Sequence, residues 1–179
     1  MASKQSMANE LRVIKRGQYY MTPFMAHHIE EFLRVIHPEN VKELRLLGYE
    51  NVREALDEMI EAAECYLVRG PDNQIVFVGG LFFGEGEPQL FALFSTNLRE
   101  NFTALARGSK MLVSFFDQTY PMLSMSIMAK YEAMVNWALF LGFDPVGVAR
   151  VDNLDFVEFV RCNPNKNYVS HETSRPVMH

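Results

Sequence analysis

Apolar positions along the chain change their spacing several times, and each change marks an element. Leu11, Val13 and the stretch to Lys15 read as a short strand. Thr22-Pro23 then reads as a helix start, a capping hydroxyl before Pro at the first helical position. Phe24, Ile29, Phe32, Leu33 and Ile36 give that helix a buried stripe. Pro38 interrupts it and opens a second helix, with Val41, Leu44 and Leu47 on one face before Gly48. Asn51, three residues ahead of Glu54, is a capping-box variant for a third helix running to about Glu64.

From Cys65 the period shortens. Residues 65–70 and 74–83, joined by a Gly/Pro/Asp/Asn turn, predict an antiparallel hairpin, and 89–95 a further strand. Thr96 or Asn97 caps a long helix to about Asp117, with Leu98, Phe102, Leu105, Leu112 and Phe116 along one face. A strand at 123–128, a helix at 129–141 stopped by Gly142, and a hairpin of 146–151 with 156–161 complete the pattern. The order is β-α-α-α-β-β-β-α-β-α-β-β. That is an α/β domain, a mixed and mostly antiparallel sheet of about six or seven strands with helices on both faces. The domain spans 11–162, between a polar N-terminal arm at 1–10 and a polar C-terminal tail at 163–179, both expected to be flexible on their own.

Composition narrows the function. With 179 residues, 49% hydrophobic and 22% charged, the chain is long enough for one packed core and too apolar for wholesale disorder. The net charge of −5 supplies no general pull toward nucleic acid or anionic lipid, so neither is an expected partner. Two cysteines, Cys65 and Cys162, make no disulfide framework, and no Cys/His cluster has zinc spacing. No apolar run reaches ~18 residues and the N-terminus lacks a signal-peptide core, so the chain is expected to be neither secreted nor transmembrane.

The element order, with Leu139-Phe140-Leu141-Gly142-Phe143 closing the penultimate helix, resembles the GNAT superfamily of N-acetyltransferases. Gly142 has a physical role in that motif: it takes the left-handed conformation that stops the helix, and Phe143 folds back into the core. HPENVKELRLLGY, NVREALDEMIEAA and the self-contained hairpin are most similar to small GNAT-like proteins of tailed bacteriophages, which include an internal virion protein of short-tailed phages.

The resemblance implies an acetyl-CoA site where two central strands splay, with the diphosphate at the start of the following helix, where backbone N–H groups and the helix dipole favour anions. The family's glycine-rich cradle has no counterpart in STNLRENFTALARG, which reaches its first glycine at Gly108. Arg107-Gly108-Ser109-Lys110 is better read as a tolerated helix glycine than as a phosphate loop, since the apolar stripe continues on both sides. The family's usual acid, a Tyr four residues before the motif glycine, falls at Ala138, and Tyr131 lies about two turns too early. Glu85 and Glu87 read as solvated turn carboxylates. His27 and His28, as helix neighbours, are expected to point to different sides. Cys65 reads as core rather than nucleophile.

Eleven methionines and fourteen phenylalanines suit either a Met-padded core or an adaptable apolar surface. The phage-type resemblance, with the cradle and the positioned Tyr both missing, implies as the leading expectation a phage-encoded GNAT-like virion or morphogenesis component, without acetyl transfer and without a cofactor. It would sit in the virion or host cytoplasm, contact other phage structural proteins, and self-associate. The alternative is an N-acetyltransferase using acetyl-CoA, with Leu93, Phe94 and Ser95 contacting pantetheine through their backbone and Arg99 meeting the diphosphate. A third reading is an effector that binds a host protein.

Overall fold

The computed structural model describes residues 13–97 and 102–163. Both predicted arms, apart from Asn163, and the segment holding Leu98 and Arg99 lie outside the described residues.

Among the described residues, eight strands form one sheet in the order β1-β2-β3-β4-β5-β6-β8-β7. Strands β1 (Ile14–Arg16), β2 (Tyr19–Pro23), β3 (Ala63–Arg69), β4 (Ile75–Phe82) and β5 (Gln89–Phe94) pair antiparallel in succession. β6 (Met122–Met128) lies parallel to β5, and β8 (Leu154–Cys162) pairs antiparallel with both β6 and β7 (Asp144–Val151). The expected mixed α/β sheet is therefore present, one strand wider than its upper estimate.

The added strand is β2. Thr22-Pro23 does not start a helix. Tyr19 and Met21 are buried in alternation with Tyr20 and Thr22, which is the period of a strand. Pro23 sits at the strand end opposite Tyr66, and the chain turns helical only at Ala26–His28 and then in α1 (Ile29–Leu33). Pro at the first position of a helix and Pro at the last position of a strand look alike locally, and cross-strand pairing decides between them.

The sheet separates two cores. α1, α2 (Pro38–Leu46) and α3 (Val52–Ala62) cover one face, where Phe32, Leu44, Leu56, Leu67 and Val78 meet. α4 (Phe102–Asp117) and α5 (Glu132–Phe140) cover the other, over Met21, Val68, Phe77, Leu123 and Phe159. Strand β4 is apolar at nearly every position because helices cover both of its sides. Two face assignments change. α2 turns Asn40 and Leu44 inward while Leu47 is exposed, and on α4 Phe102 is exposed while Ala104, Gly108 and Met111 are buried.

The end of α5 is as expected. Gly142 has φ +79, its N–H donates to Leu139 O, and Phe143 is fully buried. Arg161 donates to Leu141 O at 3.0 Å and to Asp117 at 2.8 Å, clamping the ends of α4 and α5 onto β8. Asn163, placed by sequence in the tail, is buried and donates through its side chain to Asp117 O, so the domain extends at least to it.

Candidate functional site

The site grows from a defect in the sheet. β5 and β6 pair only at Gln89 and Ser124, with Ser124 N–H donating to Pro88 O at 2.9 Å. Beyond that point β5 stays with β4 and β6 stays with β8, so the two parallel strands splay. Ser95 N–H points to Val76 O on the β4 side. The alternation of an antiparallel ladder therefore aims the backbone groups of Ala92 and Phe94 into the split.

A cavity of about 290 Å³ fills the split, walled by Ala92, Phe94, Ser126, Met134 and Trp137 and roofed by Asn40 and Glu43 of α2. A second cavity of about 380 Å³ adjoins it through Asn40, Glu43, Phe94, Tyr131 and Met134, and adds His37, Glu39, Lys130 and Glu132 at its rim. Its floor is fixed. Trp137 packs edge-on against Phe94 at 5.5 Å between ring centroids, and its indole N–H donates to Ser109 at 3.0 Å.

The C-terminal end of β5 already has a surrogate neighbour. Thr96 N–H donates to Val35 O, His37 N–H donates to Phe94 O, and Ile36 forms a bridge with Ser95. Asn40 completes it: its side-chain Oδ1 accepts Phe94 N–H at 2.7 Å, and its Nδ2 donates to Glu43 at 3.3 Å. Extended backbone at His37, which a following Pro favours, brings this segment alongside the strand before α2 begins. Glu43 is half-buried, and burial pushes its carboxyl above the usual range, opposed by the Asn40 hydrogen bond and the charge of Lys130.

Leu93, Phe94 and Ser95 are buried at the end of β5, in the wall of the split. Ser95 Oγ donates to Ile75 O at 2.7 Å, which turns that side chain away from the cavity. Arg99 lies outside the described residues. Gly108 is a helix glycine in close contact: a Cβ there would meet Val68 at 2.9 Å. Cys65 is buried, its thiol pushed up to about 12 chiefly by that burial, in keeping with a core role. Glu85 and Glu87 are exposed. The histidine expectation is corrected: His27 and His28 lie in a 3₁₀ turn, and their ring centroids are 3.9 Å apart.

Asn40 and Glu43 escaped sequence reasoning. The signal was Asn40 one helical turn before Leu44, a polar residue on the face that must be buried.

No protein family matches this chain by its sequence profile, and no curated protein matches it by sequence. Solved structures do match by shape. A GCN5-related N-acetyltransferase from Brucella melitensis superimposes with a TM-score of 0.69 at 13% identity, over 86% of this chain and 80% of that one. The ribosomal L7/L12 alpha-N-protein acetyltransferase RimL gives 0.67 at 12% identity, over 84% and 94%. The ribosomal-protein-S5-alanine acetyltransferase of Vibrio fischeri gives 0.62 at 12% identity, over 88% and 100%. The chain has the GNAT acyltransferase fold, as its element order suggested.

Proposed function

We propose that the protein is an N-acyltransferase that takes an acyl-CoA thioester in the β5–β6 split. The observation that carries this is the split itself: a sheet opened at one place, lined by free strand edge and roofed by a carboxyl of raised pKa. The split suits a pantetheine arm, because Ala92 offers an inward-facing N–H and C=O with no strand paired to it from the β6 side among the described residues. When bound, the thioester supplies the acyl group. Glu43 is the base candidate, its proton affinity raised by burial. Tyr131, at the N-terminus of α5, is the phenol on the same walls. Glu39 and Glu132 at the rim, with Glu43 in the roof, outnumber Lys130 and favour a cationic amine as acceptor.

Calorimetry with acetyl-CoA tests the reading. Binding tighter than about 1 mM, weakened more than about tenfold in a folded Met134→Trp variant that narrows the cavity, is expected. Absence of binding at that concentration overturns it.

One observation favours a second reading, a phage-encoded GNAT-like assembly component without acyl transfer. Phe94 N–H, which would otherwise face a thioester carbonyl, is held by Asn40. Mass spectrometry of purified particles tests it, and absence of the chain from them removes it.

A further inference from the structure

Away from the split, the β1–β2 hairpin and α4 enclose a cleft of about 410 Å³. Arg16, Gln18, Tyr19, Arg107 and Lys110 line it, and among the described residues no carboxylate does. It shares no residue with the β5–β6 cavity.

Local structure assembles the three cations. Helical spacing of three sets Arg107 and Lys110 side by side on the exposed face of α4, while Gly108 and Ser109 turn inward. The hairpin turns at Gly17, with φ +59, and pairs Arg16 with Tyr19. Arg16 shares its strand face with Ile14, which packs toward the α4 core.

Aromatic rings, not carboxylates, hold two of these cations. The Arg107 guanidinium lies 5.8 Å from the Tyr19 ring centroid, and Lys110 Nζ lies 4.5 Å from that of Phe140. Cation–π contact positions a cation without neutralising it. Three arginines elsewhere meet acids, Arg69 with Glu31, Arg161 with Asp117 and Arg53 with Glu30, while Lys130 lies over the Tyr131 ring at 5.0 Å. The depression beside Lys42, Arg45 and Lys130 contains Glu39. Among the described residues the cleft thus gathers three basic side chains without an acidic partner, in a chain of net charge −5.

We propose that this cleft binds a compact diphosphate group. Guanidinium and ammonium groups converging from two elements suit adjacent phosphates, with Arg donating in paired fashion and Lys as a point charge. The confinement of the cations to one concavity of small-molecule size, on an otherwise acidic protein, selects a small ligand over an extended nucleic acid.

Titration of the full chain with inorganic pyrophosphate, followed by ³¹P NMR, tests the proposal. Saturable binding that weakens with added salt, and about tenfold or more in Arg107→Ala/Lys110→Ala, is expected. Both side chains are exposed, so the variant should melt with the parent, and Lys15→Ala, on the opposite face of β1, should bind as the parent does. Displacement of pyrophosphate by coenzyme A but not by pantetheine would identify the diphosphate as the coenzyme's own. No displacement by either would identify a free phosphorylated ligand. Equal binding by the double variant, or a short DNA duplex bound more tightly than pyrophosphate, overturns the proposal.

Discussion

Asn40→Ala separates the fold of the split from its chemistry. The substitution removes the acceptor of Phe94 N–H, a 2.7 Å bond in the buried wall, and the donor to Glu43 at 3.3 Å. The bond from His37 N–H to Phe94 O at 2.8 Å survives, so α2 stays anchored to β5. An orphaned buried N–H costs about 1–3 kcal/mol, whereas the bond to Glu43 is long and its carboxyl partly reaches water, adding little. Urea unfolding should therefore show a loss of about 1–3 kcal/mol with an unchanged m-value. Amide exchange gives the local readout: the Phe94 N–H should exchange about 5–150-fold faster, while Leu93, bonded toward β4, changes only with global stability. The same vacancy should strengthen acetyl-CoA binding, because a thioester carbonyl no longer competes with the Asn40 side chain. Parental stability together with unchanged Phe94 exchange would refute the assignment of Asn40 as that partner.

Glu43→Gln should stabilise the protein near neutral pH. A carboxyl whose folded pKa is raised binds its proton more tightly when folded, so its ionisation opposes folding. The advantage of the variant should build from the ordinary carboxylate range upward and level off once the folded carboxyl ionises. A pH series of thermal melts checks this, and a pH-independent difference would contradict it. Gly108→Ala should destabilise by about 1 kcal/mol, since helix propensity gains ~1 kcal/mol but the contact with Val68 at 2.9 Å and Phe77 at 3.1 Å overpacks by ~1–3 kcal/mol. Calorimetric melting reads the sign directly. Arg161→Ala should cost about 3 kcal/mol in urea unfolding, because it strands Asp117, itself only 17% exposed, and frees Leu141 O.

The sequence by itself determined what local spacing controls. The existence of α3 and α4, the apolar run of β4 and the stop at Gly142 all follow from nearest neighbours along the chain. From their order the mixed sheet followed, and with it the GNAT fold. Tertiary structure decided the rest. Whether Pro23 ends a strand or starts a helix depended on Tyr66, 43 positions away, pairing with it. Which face of α2 is buried depended on the splay of β5 from β6, which leaves a strand amide that only an inward carboxamide satisfies. The cleft at Arg107 and Lys110 took its third cation and its aromatic partners from β1, β2 and α5. Hydrogen bonds and charges act over a few ångströms of space, so contacts between residues far apart in sequence leave no periodicity to read.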